Sequence, residues 1–277
     1  MGAHLAFLYL DSRSYKNLEK NKIESAISCT CTLCQKKGSL WLVPPANSFQ
    51  IVRDNKHLTE YQSASLRDTF CSFCGTQIPG LHRTGPLAGQ YVVNVRTIHD
   101  PYFNLFQTEQ AATIADTEDT RTVELVTAPS SQIPAEHVLA CHCGHLQAEL
   151  LVPIRDQELK EDNCSSCVRI GYIGVYPTKD QVIIHGREHG FKYLIGRKYS
   201  GRVHCKTCGV HVFSNIYGQP MSIFDALPAE RRENALKLYH QNMQTQPLNV
   251  RAMEGVDLTI LEIERSDLGT AGYELED

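Results

Sequence analysis

Cys29-Thr30-Cys31-Thr32-Leu33-Cys34 is the stretch on which the reading of this chain turns, because its second half returns as Cys164-Ser165-Ser166-Cys167. Laying Cys34 on Cys167, 133 residues later, also lays Cys31 on Cys164, Gly38 on Gly171 and Pro44 on Pro177. With one further residue of slack, Cys71-x-x-Cys74-Gly75 meets Cys205-x-x-Cys208-Gly209. Asn94-Val95-Arg96 recurs as Asn249-Val250-Arg251 beyond an insertion in the second copy. Self-similarity at one long offset predicts two consecutive units of one fold.

The remaining cysteines obey the same grouping. Cys141-His-Cys143-Gly144 completes the set, and each of the eleven cysteines has another within three residues. A C-x-x-C turn lets two thiolates reach one ion while the intervening amides point at the sulfurs, and a following glycine permits the tight backbone of a knuckle. Cysteines acting as small buried hydrophobes would be scattered instead. A thioredoxin-type redox pair needs a βαβ setting, of which the sequence gives no sign. Iron–sulfur ligation uses the same thiolates, but two-residue spacers closed by glycine suit zinc knuckles better.

Bulk properties agree with an intracellular metalloprotein. The 277 residues, 42% hydrophobic and 21% charged, suffice for two ordinary domains. An odd number of cysteines leaves one over in a disulfide framework, so metal ligation in a reducing cytoplasm is the expectation. The net charge of −4, with both signs mixed, offers no footprint for a nucleic acid or an anionic membrane. No apolar run approaches the roughly 20 residues that span a bilayer, and Ala3 to Leu10 lacks a basic flank.

The expected fold class is mainly β. Leu146, Ala148, Leu150 and Val152 alternate with period two, as do Val210, Val212 and Ser214, and β-branched residues fill Val182 to Ile184. The first unit is placed at 1–106, a polar and proline-bearing linker at 107–137, and the second unit at 138–277, with an insertion at 218–246 and an acidic tail. One helix is expected in the insertion, with Pro228 in its first turn and Ala235, Leu236, Tyr239 and Met243 at helical spacing. It packs on the unit or lids a pocket.

The order C-x-C-G, C-x-C-x-x-C, C-x-x-C-G resembles the glutathione-dependent formaldehyde-activating enzyme family, which includes centromere protein V, and the likeness covers both repeats. It implies two tandem zinc-binding β-tent domains, two to four Zn2+ per chain, and carbon–sulfur lyase chemistry. In the family, one zinc site is closed by the outer pairs and another, on the central cluster, keeps an open position. Carried onto this chain, the closed site of the second repeat is Cys141, Cys143, Cys205 and Cys208. Its central cluster is Cys164 and Cys167, with Asp162 in place of the first cysteine, either as a mixed ligand set or as a vacated site. The first repeat keeps Cys29, Cys31 and Cys34 but lacks the outer C-x-C near Leu8 to Leu10. Cys71 and Cys74 then recruit His4, His82 or a residue of the other repeat, close on two members of the first cluster, or hold no metal.

A three-thiolate zinc leaves one tetrahedral position for substrate, and the expectation places that open centre on Cys29, Cys31 and Cys34. A thiol such as glutathione would there add to, or leave from, an electrophilic carbon such as an aldehyde. Candidates by residue type for the proton shuttle are His57, His99, Asp100, His185 and His204, and Arg96 and Arg251, at matched places in the repeat, either anchor a substrate carboxylate or form structural ion pairs. The alternatives are a zinc enzyme acting on a carbonyl metabolite without glutathione, and a zinc-stabilised module that binds a protein partner.

Overall fold

The structure, a computed structural model, describes residues 7–10, 23, 25–45, 49–53, 56–98, 105–116 and 136–267. His4, His99, Asp100, the tail beyond 267 and residues 117–135 of the linker lie outside them. The chain is mainly β, with few helices among the described residues. None of these helices is long and apolar enough to cross a membrane.

Two seven-stranded sheets dominate. The first is built from β2 (Ser25–Cys29), β3 (Leu40–Leu42), β5 (Leu58–Gln62), β6 (Leu66–Cys71), β7 (Gln77–His82), β8 (Tyr91–Asn94) and β9 (Glu109–Ile114), in the order β5-β6-β7-β8-β3-β2-β9. Beside it, β1 (Phe7–Leu10) pairs with β4 (Phe49–Arg53). The second sheet contains β12 (Leu159–Asp162), β13 (Ile173–Val175), β15 (Gly190–Ile195), β16 (Ser200–Cys205), β17 (His211–Ile216), β18 (Leu248–Asn249) and β19 (Ile263–Ser266). Its order, β15-β16-β17-β18-β13-β12-β19, repeats the first strand for strand. In each sheet the last strand runs parallel to its neighbour and the other pairs are antiparallel. A third sheet joins β10 (His137–Ala140), β11 (Gln147–Leu150) and β14 (Val182–His185). Strand β9 falls inside the stretch assigned to the linker from its polar composition. It is an edge strand, and an edge needs no apolar outer face.

The alternation noted in the sequence becomes burial on both faces. Leu146, Ala148 and Leu150 are inaccessible to solvent, and so are Val210 and Val212. Gln147, Glu149 and His211, at the alternate positions of the same strands, are also buried, each held by a polar partner of its own half: Gln147 Nε2 donates to Gly144 O at 2.7 Å, Glu149 bonds His185 at 2.6 Å and His211 Nδ1 lies 3.0 Å from Val203 O. The central hydrophobic cluster draws Trp41, Leu66 and Val92 from one half and Leu139, Phe213 and Leu248 from the other.

Contacts between the halves repeat reciprocally. The knuckle glycine Gly75, at φ +77°, lies against the His204 ring, and Gly209, at φ +71°, lies against Phe70. A Cβ at Gly75 would stand 2.0 Å from His204 Nδ1, and one at Gly209 2.6 Å from the Phe70 ring. Only glycine tolerates both the left-handed backbone and this approach. Helix α1 (Thr32–Lys37) ends at the seam. From it Lys36 donates to the carbonyls of Ala140 and Ala252, each at 3.0 Å, and pairs with Glu254 at 2.8 Å. The next residue, Lys37, pairs with Asp68 inside the core and sits 4.6 Å from the Phe70 ring centroid.

In the inserted segment, α3 (Ser222–Asp225) precedes α4 (Ala229–Gln244), whose N-cap is Pro228. Phe224 packs edge-on against Tyr239 at 5.2 Å. No residue of α4 is fully buried, so this helix leans on the surface and does not build the core.

Asp68 is fully buried and also accepts from Gln77 Nε2 at 2.8 Å. Its replacement by alanine strands the Lys37 ammonium in the interior. Asp68→Ala is therefore expected to lose about 3–5 kcal/mol of unfolding free energy. Urea titration measures this, and a loss below about 1 kcal/mol would mean that the pair is solvated as surface pairs are.

Candidate metal centres

Three groups of donors converge. In the first, Cys141 and Cys143 lie in the turn between β10 and β11, while Cys205 ends β16 and Cys208 lies in the turn to β17. In each turn the glycine N–H closes back on the first cysteine's carbonyl at 2.9 Å, Gly144 to Cys141 O across three residues and Gly209 to Cys205 O across four. Cys143 Sγ stands 3.5 Å from Cys141 Sγ and 3.3 Å from Cys205 Sγ, and all four sulfurs are mutually within 4.8 Å. A tetrahedral ion with metal–sulfur bonds of about 2.3 Å needs sulfurs roughly 3.8 Å apart, so this set suits one. Sulfur–sulfur hydrogen bonds from Cys141 pull the Cys143 and Cys205 thiols down, and Cys141, as the shared donor, goes up. Four thiols this close hold negative charge most easily when a cation lies between them.

The second group contains Cys29 at the end of β2, Cys34 within α1 and His82 at the end of β7. Cys31, the N-cap of α1, donates its backbone N–H to Cys29 Sγ at 3.4 Å, and its own sulfur meets those of Cys29 and Cys34. Trp41 Nε1 donates to Cys34 Sγ at 3.3 Å. Hydrogen bonds from Cys31 and then Cys34 take the Cys29 thiol down to about 3, while burial takes Cys34 up. These three cysteines are at most 5% exposed and His82 is 1% exposed. The expected partnership of His82 with Cys71 and Cys74 is thus not the one observed, since the imidazole lies beside Cys29 and Cys34. The side that was expected to stay open at this cluster faces His82.

The third group is Asp162 at the end of β12, Cys164 at the N-cap of α2 (Ser165–Val168), and Cys167 within that helix. Cys164 and Cys167 sulfurs are 3.0 Å apart, and the interaction takes the Cys164 thiol down to about 6 while Cys167 rises. Arg202 Nη2 donates to Cys167 Sγ at 3.2 Å, with its guanidinium 4.0 Å over the Tyr172 ring. Asp162 Oδ1 and Arg202 Nε are buried without a hydrogen-bond partner among the described residues. Asp162 thus lies within reach of both sulfurs, where it could serve as a third donor.

This third group adjoins a cavity of about 310 Å³ whose wall comes from both halves: Cys74 and Thr76 from one, and Cys164, Arg169, Arg202 and His204 from the other. Cys71 and Cys74 find no third metal donor among the described residues. Cys74 donates to Thr76 Oγ1 at 3.2 Å, and its hydrogen bond with Cys71 takes it down to about 6. The insertion contributes nothing to this wall, so α4 is no lid over it.

Of the proton-shuttle candidates among the described residues, only His204 lines the cavity. Burial drives its pKa down to about 3, so the ring is neutral, and its Nδ1 lies 3.1 Å from Gly209 O. His185 bonds Glu149 at 2.6 Å on the third sheet, and His57 packs on Phe73 at 5.6 Å. Arg96 and Arg251 are engaged in structural contacts, as the second reading of them had it for Arg251, which pairs with Glu161 at 3.5 Å. Each donates its Nε to a helix-end carbonyl, Gly38 O and Gly171 O respectively, and the two arginines occupy matched places at the seam. The cavity's guanidinium groups are instead Arg169 and Arg202, which the sequence reading missed. One signal was there: laid on the repeat, Arg202 falls on Asp68 and His82 on Ile216, changes of chemistry at positions that otherwise match.

No protein-family model matches the chain. The crystal structure of a Rhodobacter sphaeroides protein, a structural genomics target, is similar at 22% identity over 47% of this chain and 99% of that one, with a TM-score of 0.33. A superposition that loose carries no argument.

Cys205→Ser in the metal-loaded chain is expected to lower the metal content by about one ion per chain. Melting and denaturant curves should show a large loss of stability with it, since a structural site of this kind contributes on the order of 10 kcal/mol. A Cys205→Ser protein with full metal content and unchanged melting would show that the four-sulfur group binds nothing.

Proposed function

We propose that this chain is a zinc-dependent enzyme of the carbon–sulfur lyase type, related to the formaldehyde-activating family and built as two tandem β-tent domains, with its reaction centre in the second half. The observation that carries this reading is the placement of Asp162, Cys164 and Cys167 beside a cavity that also holds Arg202, a buried cation with an unused donor. Two thiolates and a carboxylate are a chemically acceptable zinc set and leave one tetrahedral position. Zinc bound there supplies Lewis acidity toward a carbonyl oxygen and favours the thiolate form of a substrate thiol.

The chain's own residues then have distinct tasks. Arg202 orients Cys167 through Nη2 and offers Nε to a substrate carboxylate, and Arg169 adds positive charge to the same wall. His204, neutral and with Nδ1 engaged, offers Nε2 as a hydrogen-bond acceptor toward the cavity. The reaction supported is addition of a thiol sulfur to a carbonyl carbon, with the thiol proton ending on the carbonyl oxygen, or its reverse. Glutathione fits as the thiol because it carries carboxylates. A second reading, a small carbonyl acid handled without glutathione, is favoured by the cavity volume, which lies at the lower end of the ~300–1,000 Å³ usual for ligand sites.

The test follows formation and breakdown of the thiol–aldehyde adduct by NMR exchange spectroscopy, with formaldehyde and either glutathione or an uncharged thiol. Cys164→Ser is expected to abolish the catalysed exchange. Arg202→Gln should raise KM for glutathione about tenfold or more, worth about 1.4 kcal/mol, beyond whatever change the lost Cys167 contact causes with the uncharged thiol. Full turnover in Cys164→Ser would move the centre elsewhere. Absence of exchange with any thiol, in a chain that retains its metal, would favour the binding-module reading.

A further inference from the structure

The second cluster contains a group that the reaction proposed above does not use. His82 is 1% exposed, and neither ring nitrogen has a hydrogen-bond partner among the described residues. A buried donor or acceptor left unmade carries its full desolvation cost, so a histidine with both nitrogens idle calls for a ligand. Its immediate aromatic neighbour, Trp41, meets it edge to face at 6.0 Å and directs its own N–H at Cys34 Sγ, so it offers no acceptor. What the imidazole does face is sulfur, with one ring nitrogen mutually within 4.8 Å of Cys29 Sγ and Cys34 Sγ.

Packing alone does not require an imidazole here. In register, Leu66 pairs with His82 just as Ser200 pairs with Ile216, so the matched strand ends on an aliphatic side chain. The same contrast divides the clusters that these strands approach. Where β17 carries Ile216, the Asp162, Cys164, Cys167 group borders a cavity, and where β7 carries His82, the cysteines are sealed.

We infer that His82 joins Cys29 and Cys34 as a ligand of a closed site, with Cys31, whose sulfur meets those of both cysteines, moving in on metal binding as the fourth donor; the site takes a tetrahedral divalent ion of zinc type and ties β7 to β2 and α1. Three thiolates and a neutral imidazole around such an ion carry one net negative charge, less than four thiolates would bring into this dry region. The site departs from the open centre implied by the family resemblance. It is independent of where the reaction takes place.

The experiment uses the full chain loaded with cadmium and grown on nitrogen-labelled histidine. Cadmium NMR is expected to show a resonance shifted from the four-sulfur range and coupled to one imidazole nitrogen. In His82→Cys that coupling should vanish and the resonance should move into the four-sulfur range, with metal content unchanged. In His82→Phe the content should fall by about one ion per chain. A wild-type spectrum without imidazole coupling, or a coupling that survives in His82→Cys, would overturn the assignment. Because the wild-type spectrum decides the first point, the inference stays testable even where a variant fails to fold.

Discussion

Sulfurs held 3.0 to 3.5 Å apart inside a protein are the constraint on which the rest of this structure depends. Nine of the eleven cysteines are buried, and their proton affinities are strongly coupled, one thiol falling as its neighbour rises. Such a group is poorly accommodated as neutral thiols and worse as free anions, and a cation resolves both difficulties. Two of the three clusters also join elements far apart in the chain. The four-sulfur group connects the turn after β10 to the turn after β16, and the Cys29 group connects β2 and α1 to the end of β7.

The two halves use one topology for different ends, and the differences sit at matched places. Cys29 corresponds to Asp162, His82 to Ile216, Asp68 to Arg202, and Phe70 to His204. In the first half these choices give a sealed cluster and a buried Lys37–Asp68 pair. In the second they give a carboxylate, an arginine with a spare donor and a neutral histidine around a cavity. Loss of the outer C-x-C from the first half leaves Cys71 and Cys74 without further metal donors among the described residues. It also leaves Cys74 as part of the cavity wall. The halves therefore complement one another: the pocket exists only because the knuckle of one lies against the helix end of the other.

Much of this was legible in the residues themselves. The C-x-x-C-G and C-x-C-G punctuation marks the two pairs of the four-sulfur group, because local turns determine which sulfurs of a pair point together, while the joining of one pair to the other was implied by the family resemblance. Period-two alternation marks a mainly β chain, since side chains on a strand alternate by geometry. What the linear pattern misjudged or left open were places where a polar residue is accommodated by something distant. The polar strand β9 read as linker because an edge strand lacks the apolar signature, and Arg96 and Arg251 stayed open between anchor and structural role because their acceptors are carbonyls at the far end of a helix.

By itself, then, the sequence determined the β class, the eleven-cysteine grouping and the correspondence of Cys31, Cys34, Cys71 and Cys74 with Cys164, Cys167, Cys205 and Cys208. These are short-range facts, set by turn geometry and strand period. Only the tertiary structure decided that His82 meets Cys29 and Cys34, that Arg202 meets Cys167, and that Cys74 shares a cavity with Cys164. These pairings cross 35 to 90 residues of chain and depend on strand register and on the packing of one half against the other, which no local spacing encodes.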